Sequence, residues 1–588
     1  MSDQKEVLMK RLCEHVEYIR GRIQEEKSKV ESRTQKDSEI LKLRSGDQLV
    51  QFNIRQQRRE RIDELNELNR SFYFARCELT IDDGAPFICY FAKFHFIEEG
   101  ISSWVSPIAS IRFEPPGNVS YTLPSGEMIK ASMLSVEHYT IVDGRVLYFS
   151  RETIETPKQL IYQEKITKRK SSFSLVEIVE KMEKRQDAII RANYKCSTLI
   201  SGPAGSGKTT LAFHRVAYLA LAPNTAPMFP GNSIVIFIQD VGTKKYFSSL
   251  LPELGIRNVL ITTFSSWAFN ILKIKEYKYI DRFGKNEKEK DLFEYEKLSV
   301  LRLGEYGVYK KNPFLLLTEI YKKNLSKKMY GLFLEQKRAR FLDRFDLTIL
   351  LGSYLNKCSI NDRERILKVL YSLIVVDEFQ NYLPEQLKIL KSFLSVKTSA
   401  MVYIGDYSQQ VRIGTIRSWN EIQEVIPEEA NFILGKTYRN TGSILNYIKD
   451  LGFSMDIPDY VEIGESVEEF FGSEDEQIQR LEGVIKNLGE QTLGVLYTDE
   501  KLLNVLLQKF GEDGRIHILS FVQSQGLEFD VVCIIGVNRS MFDCAHICEN
   551  EERVKELKKI KKDGLYIALT RAISKLYVFG KEGFPELS

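Results

Sequence analysis

The chain has 588 residues, of which 43% are hydrophobic, so it is long enough for several domains with cores of their own. Its 83 Lys and Arg residues nearly balance 80 Asp and Glu residues, which excludes a general basic coat and makes any nucleic-acid footprint local. No run of 18 apolar residues occurs and the first residues are too polar for a signal peptide, so we expect a cytoplasmic protein that does not bind membranes.

Residues 1–72 are predicted to form an antiparallel coiled-coil arm. Apolar residues recur at the spacing of a helix seam, at Leu8, Leu12, Val16, Ile19, Ile23 and Val30. A polar break is expected over 31–39, and a second helix from about Ile40 to Arg70. An ordinary helical brace explains the same pattern equally well.

Residues 73–156 are predicted to form a small β-rich module. Alternating apolar residues over 72–81 and 87–96 flank Asp82-Asp83-Gly84, which is typical of a β-hairpin. Further short strands are expected over 109–113, 119–123, 133–137 and 145–150.

A glycine-rich segment, Gly-Pro-Ala-Gly-Ser-Gly-Lys-Thr over 202–209, lies between an apolar run and a helical pattern. This order predicts a phosphate loop for ATP and Mg²⁺, because glycines let backbone N–H groups turn toward phosphate oxygens at a helix N-terminus. Lys208 would reach the β- and γ-phosphates, and Thr209 would offer its hydroxyl to Mg²⁺. The predicted cofactor-binding residues of this segment are Gly202, Gly205, Gly207, Lys208, Thr209 and Thr210.

Two later strands are predicted to end in polar residues that complete this site. The run 373–376 is followed by Asp377 and Glu378, which would hold the metal and polarise the attacking water, respectively. The run 401–405 precedes Gly-Asp-x-x-Gln, which places Gln409 where a γ-phosphate can be sensed.

About a hundred residues between these motifs read as mostly helical, with basic residues interleaved with aromatic ones from Tyr321 to Phe341. Such a pattern can track phosphates and stack bases, or it can be a solvated helix face above its core stripe. Both interpretations stay open. Among eight cysteines only Cys544 and Cys548 are closely spaced, and we expect free thiols rather than a metal site.

Four further segments complete a set of seven motifs in order: Arg185–Ile190, Leu434–Thr441, Ser524–Asp530 and Leu565–Ala572. From about Glu183 to Gly580 the chain resembles superfamily 1 helicases and translocases of the UvrD and Rep type. The resemblance implies that Gln186 reads the adenine edge, Tyr438 stacks on the base and Glu528 contacts the ribose. It also implies that Arg439 and Arg571 are arginine fingers.

The resemblance implies an α/β fold with two RecA-like P-loop domains, each built on a parallel sheet. The first would comprise 157–270 and 366–425, with a helical insertion over 271–365, and the second would comprise 426–588. Only 86 residues separate Arg439 from Gly526, so the usual duplex-engaging insertion is predicted to be missing. Ser265, Val522 and Gln525 stand where the family carries histidine or lysine, which predicts a weak grip on a nucleic-acid strand.

The arm, the hairpin and the segment Trp104–Phe113 are similar to the amino-terminal part of the HelD family of RNA-polymerase-associated ATPases. This second resemblance implies that RNA polymerase is the partner and that ATP hydrolysis frees it from nucleic-acid complexes. The alternative is a helicase or translocase on DNA or RNA in repair or phage defence, whose front end binds another protein.

Overall fold

The computed structural model describes residues 2–40, 48–81, 84–123, 125–163, 184–203, 205–239, 244, 248, 251, 254–304, 306–307, 309, 312–356, 370–434, 440–453, 457, 461–542, 544 and 550–584. The chain is mixed α/β and divides into two compact units. Unit 1 comprises Met1–Arg191, Phe213–Pro230 and Ser249–Arg257, and unit 2 comprises Ala192–Ala212, Gly231–Ser248 and Asn258–Ser588. In the described parts of the chain, no helix combines the length and apolarity that a membrane crossing needs.

Unit 1 begins with two paired helices, α1 (Ser2–Ile40) and α2 (Gln48–Arg70). The predicted seam of α1 is buried together with Leu65 and Leu68 of α2. The helices run antiparallel, since Arg58 donates to the Arg33 carbonyl at 3.1 Å near the far end. The predicted break over 31–39 is wrong, because that stretch has no Gly or Pro and consists largely of good helix formers. At 39 residues α1 is about 58 Å long.

A seven-stranded sheet follows in unit 1, with the order β3-β2-β1-β5-β6-β7 and with β4 paired to β5. The predicted hairpin is confirmed, since β1 and β2 pair antiparallel. The strand predicted over 109–113 is wrong. Pro107 instead starts a 3₁₀ helix that runs to Phe113. The strands are β1 Ala75–Thr80, β2 Phe87–Ala92, β3 Ile101–Ser103, β4 Gly117–Thr122, β5 Met128–Val142, β6 Arg145–Thr153 and β7 Gln159–Gln163, and helix α3 is Lys184–Arg191.

A buried carboxylate joins α1 to this sheet. Glu137 on β5 is fully buried, and it pairs with Arg11 of α1 at 2.5 Å and with Arg151 of β6 at 3.2 Å. Arg76 of β1 lies 3.6 Å away. Burial alone would raise the pKa of Glu137, but Arg11 and Arg76 outweigh it and lower that pKa. The base of the arm is therefore fixed to the sheet by charge as well as by apolar contact.

The first sheet of unit 2 has six parallel strands in the order β10-β9-β13-β14-β8-β15. The predicted domain boundary at 426 assigns β15 to the second domain, although this strand pairs with β8 in the first sheet. The helix after β8 is α4, Lys208–Leu221, and it ends in unit 1. The strands are β8 Thr198–Ser201, β9 Ile234–Ile238, β10 Leu260–Thr263, β13 Leu373–Val376, β14 Ala400–Gly405 and β15 Asn431–Ile433, and the paired strands β11 Lys278–Tyr279 and β12 Phe341–Leu342 stand apart.

The helices of this half of unit 2 begin at capping side chains, such as Thr263, Asn286, Asn312 and Ser326, which each accept a hydrogen bond from a first-turn amide. They share one apolar core with the first sheet. The helices are α5 Phe264–Leu272, α6 Glu287–Arg302, α7 Pro313–Asn324, α8 Lys327–Arg338, α9 Arg344–Asn356 and α10 Pro384–Lys391.

The second sheet of unit 2 has five parallel strands in the order β16-β20-β19-β17-β18. Because parallel strands need crossover connections, helices separate most of them along the chain, although β18 leads to β19 through the turn over 521–528. The elements are α11 Gly442–Asp450, β16 Glu468–Phe471, α12 Glu474–Lys486, β17 Leu493–Tyr497, α13 Glu500–Phe510, β18 Ile516–Ser520, β19 Phe529–Val537, α14 Glu551–Leu569 and β20 Ala572–Gly580.

Candidate nucleotide site

The predicted phosphate loop connects β8 to α4, as the glycine spacing requires. Gly202, Gly205 and Gly207 have φ values of +153°, +73° and +82°, a region that L side chains rarely adopt. A Cβ atom at Gly202 would lie 2.4 Å from the carbonyl oxygen of Leu434. This position therefore accepts only glycine without a shift of the backbone.

Lys208 begins α4 and is buried against the loop. Its Nζ donates to the carbonyl oxygens of Gly202 and Pro203 at 2.8 Å each. Burial lowers the pKa of Lys208, and the carboxylates of Glu378 and Asp406 oppose this shift. The ammonium group is thus hydrogen-bonded to two carbonyl oxygens of the loop. Phosphate oxygens of a nucleotide could replace these carbonyls as acceptors.

Thr209 in the first turn of α4 and Asp377 at the end of β13 lie close together. The Thr209 hydroxyl donates to the Asp377 Oδ1 at 3.4 Å, and Asp377 follows β13 directly. Burial raises the pKa of Asp377, and the adjacent Glu378 raises it further, while Lys208 opposes both. A hydroxyl beside a buried carboxylate is the oxygen donor set that suits Mg²⁺, whose charge would keep Asp377 ionised.

Glu378 has a left-handed backbone, with φ +51° and ψ +46°. Two amides hold its side chain: the Gln380 Nε2 donates to Oε2 at 2.5 Å, and the Gln525 Nε2 donates to the same atom at 3.3 Å. Strained backbone at a carboxylate persists where neighbours fix it and is common at functional sites. The side chain is therefore oriented by one residue of its own turn and by another that lies 147 positions away.

Gln409 lies in a 3₁₀ turn after β14 and is buried. Its side-chain amide donates to the Asp406 Oδ2 at 2.8 Å, and its backbone carbonyl accepts from Gln380 and Gln525 at 3.4 Å each. Its amide is therefore held by Asp406 rather than by the phosphate loop.

Arg571 follows α14 and is buried at the end of the second sheet. Its guanidinium donates to the Ile567 carbonyl at 3.0 Å and to the Leu527 carbonyl at 3.1 Å. Burial lowers the pKa of Arg571, and the charge of Glu378 opposes that shift. A role on a phosphate would require Arg571 to exchange carbonyl partners for phosphate oxygens.

A groove of about 600 Å³ lies next to this cluster in unit 2. Thr263, Ser265, Asn381, Arg412 and Gln525 contribute to its wall, and Arg344 contributes a buried guanidinium. Arg412 pairs with Asp281.

The Arg344 NH2 donates to Glu294 and to the Ile413 carbonyl, whereas its Nε and NH1 have no partner. Each guanidinium therefore has a carboxylate partner, and the two nitrogen atoms of Arg344 without partners are the groups that a further acceptor could bind.

A family model for the UvrD-like helicase C-terminal domain matches residues 269–582, more than half of the chain. The chain belongs to this family. It is also similar to the ATP-dependent DNA helicase Rep of Buchnera aphidicola subsp. Schizaphis graminum, with 24% identity over 291 residues. That match covers 44% of this chain and 42% of Rep, so the chain spans under half the length of this relative.

The UvrD-like chain brings most of the predicted site residues into one unit. Tyr438 and Arg439 lie outside the described residues. Gln186 lies on α3 in unit 1, and Glu528 is half-buried immediately before β19 in unit 2. Thr210 lies in the first turn of α4, beside Thr209. The roles of these five residues stay predictions.

The sequence interpretation missed the amide cluster around Glu378. Gln380 was visible in the acidic motif without a role, and Gln525 was visible only as a departure from the family pattern. Asn381 joins them, since its Nδ2 donates to the Gln525 Oε1 at 2.9 Å and its Oδ1 accepts from the Val411 amide at 3.1 Å. Because these partners are separated by 30 to 147 positions, no local spacing reveals them.

Proposed function

We propose that this UvrD-like protein is an ATP-driven motor that hydrolyses ATP at the site formed by Lys208, Thr209, Asp377 and Glu378. The observation that carries the proposal is the contact of Thr209 with Asp377 beside a phosphate loop in which Gly202 has no space for a Cβ atom. In this arrangement a metal ligand, a phosphate-binding lysine and a candidate base follow β8 and β13, the two parallel strands on either side of β14.

Each residue has a chemical task in this proposal. Thr209 and Asp377 would hold Mg²⁺, which would supply positive charge to neutralise the phosphates. Lys208 exchanges the carbonyls of Gly202 and Pro203 for phosphate oxygens. Glu378 orients and deprotonates the attacking water, because its half-buried carboxylate directly follows Asp377 at the end of β13.

We further propose that the two parallel sheets of unit 2 are RecA-like domains and that Arg571, with Arg439, stabilises the transferred phosphoryl group from the second one. Support comes from the position of Arg571 directly before β20 and from its electrostatic interaction with Glu378. In this scheme Gln186, Tyr438 and Glu528 contact the base and ribose. An arginine that engages only when the sheets close converts hydrolysis into motion.

For the target of the motor, we propose RNA polymerase in complex with nucleic acid, as in the HelD family. Support comes from unit 1, where a helix of about 58 Å pairs with α2 and is fixed to a β-rich module by Glu137. An arm anchored rigidly at its base can reach into a partner's cavity without losing its direction.

The second candidate is a translocase on DNA or RNA. The similarity to Rep and the groove with its partly unpaired Arg344 favour it. A single strand would lie in the groove with its phosphates toward Arg344 and Arg412. The two candidates share the ATPase site and differ in whether the motor acts on RNA polymerase through unit 1 or on a nucleic-acid strand in the groove of unit 2.

The ATPase assignment is tested by steady-state turnover of the full chain. Lys208→Ala should reduce turnover to background, and Arg571→Ala should lower it by about 10²-fold or more while retaining nucleotide binding. Lys397→Ala, at an exposed lysine of unit 2, is the matched control and should be unchanged. Normal turnover in Lys208→Ala would refute the site.

The target is tested by affinity capture from cell extract with and without nuclease. The base of the arm must stay, since Leu12, Val16 and Ile19 are buried in the unit 1 core, so residues 30–56 are replaced by a short Gly-Ser turn. Nuclease-resistant capture of RNA polymerase that is lost with the shortened arm supports the first candidate. Capture of nucleic acid without polymerase supports the second.

A further inference from the structure

We propose that Gln525 is a positioning residue that restrains Glu378 until a phosphodiester chain occupies the neighbouring groove. This inference rests on the proposed ATP hydrolysis and adds a control element to it. Gln525 precedes β19, in the part of the chain that forms the second sheet, whereas Glu378 follows β13 of the first sheet. The hydrogen bond between them therefore connects the two sheets at the proposed base.

The restraint limits the rotation of the Glu378 side chain, which is the proposed base. A hydrogen bond donated to a carboxylate occupies one of its lone pairs and fixes its orientation, so the carboxylate is less free to turn toward an attacking water. Glu378 Oε2 receives two such bonds, a short one from Gln380 and a longer one from Gln525 at 3.3 Å. Gln380 lies in the same turn as Glu378, so the bond from Gln525 is the one that a movement of the second sheet can break.

The donors of Gln525 are fully committed. A primary amide has two N–H groups, and those of Gln525 point to Glu378 Oε2 and to the Gln409 carbonyl. The Gln525 carbonyl accepts from Asn381. A new acceptor can therefore take an N–H group of Gln525 only by displacing Glu378 or Gln409.

The groove is where such an acceptor would come from. Gln525, Asn381 and Arg344 all line it, and the Nε and NH1 atoms of Arg344 are buried without hydrogen-bond partners. A phosphate group drawn in by Arg344 would compete for the amide donors of Gln525. A neutral glutamine also holds Glu378 less tightly than a lysine would, which makes the restraint releasable.

The test compares three variants of the full chain by ATP turnover with and without single-stranded oligothymidylate. Gln525→Met keeps the length of the side chain and removes both donors. We expect its turnover without oligonucleotide to rise by about three- to tenfold, the effect of losing one hydrogen bond. The stimulation by oligonucleotide should fall correspondingly.

Gln525→Lys should act in the opposite direction, because an ammonium group holds Glu378 more strongly. Its turnover without oligonucleotide should fall and its stimulation should rise. Gln508→Met is the matched control, since this exposed residue of α13 should change neither rate. A merely structural role for Gln525 would lower turnover in both variants.

A second readout is amide hydrogen exchange of residues 376–382 without nucleotide, which should be faster in Gln525→Met. A folded Gln525→Met protein with turnover at or below the wild-type level, or with unchanged exchange in this segment, would overturn the inference. Wild-type turnover no higher than that of Lys208→Ala would instead overturn the proposed ATPase itself, so the two failures are distinguishable.

Discussion

A fully buried lysine in the helical part of unit 2 allows one stability prediction to be worked in detail. Lys297 on α6 donates to the Asp343 Oδ2 at 2.6 Å, to the Asp346 Oδ1 at 2.8 Å and to the Gln336 Oε1 at 2.8 Å. Its side chain is fully buried, and so is that of Asp346. Substitution with Met keeps the volume and leaves two buried carboxylates without their cation.

Removing one partner of a buried ion pair costs about 3–5 kcal/mol, because the remaining charge keeps its desolvation penalty. We expect Lys297→Met to lower the free energy of opening of α6 and α9 by that amount. The Tyr321 hydroxyl, which donates to Asp346 at 2.6 Å, does not supply the missing charge. Adding Asp346→Asn to Lys297→Met should recover part of the loss.

The loss of stability caused by Lys297→Met should depend on pH. Burial and the nearby Asp346 raise the pKa of Asp343 although Lys297 opposes them, so its folded pKa lies above its unfolded value. Protonation of Asp343 therefore favours the folded state. The Lys297→Met deficit should be largest at neutral pH and shrink as the pH falls toward the ordinary carboxyl range near pH 4.

The assay is native-state hydrogen exchange resolved to α6 and α9, because a chain of several units does not unfold in one step. Lys288→Met is the control, at an exposed lysine on the same helix, and should change the opening free energy by less than about 0.5 kcal/mol. A Lys297→Met loss no greater than this control, or a loss that grows on acidification, would refute the reasoning.

Three further predictions concern the other sites. Gly202→Ala should weaken ATP binding by about tenfold or more in a fluorescent-nucleotide titration, since its Cβ has no space, whereas Gly331→Ala on α8 should not. Asp377→Asn should abolish ATP turnover at every Mg²⁺ concentration. Chelation of Mg²⁺ should likewise abolish the turnover of the wild type. Glu137→Gln should lower the stability of unit 1 by about 3 kcal/mol at neutral pH in a urea titration. Because Arg11 helps to keep the pKa of Glu137 below its usual value, this stability difference should be present above about pH 4.5 and be lost as the pH falls through the lowered pKa.

The sequence was sufficient where chemistry depends on neighbours along the chain. The glycine pattern over 202–207 predicts the positive φ values that the loop adopts. The adjacent carboxylates Asp377 and Glu378 indicate the end of a buried strand. The failures came where local patterns are ambiguous. Residues 109–113 alternate like a strand, but Pro107 supplies the φ of a helical first turn.

The contacts that restrain Glu378 were beyond prediction for a different reason. Gln525 lies 147 positions away, and a glutamine carries no charge pattern that points to a carboxylate partner. Such contacts depend on how two sheets are placed, which no periodicity encodes. The same holds for Lys297 and Asp346, whose 49-residue separation hides a fully buried pair among many surface charges.

The strand order of the first sheet has a consequence for biosynthesis. Both neighbours of β8, which are β14 and β15, are translated about 200 residues after it, so β8 leaves the ribosome long before either partner exists. At roughly 5–20 residues per second, this strand spends on the order of 10 to 40 seconds unpaired. During that interval an apolar edge is exposed to aggregation, and nucleotide cannot assist folding, because the loop that would hold it has no finished sheet behind it.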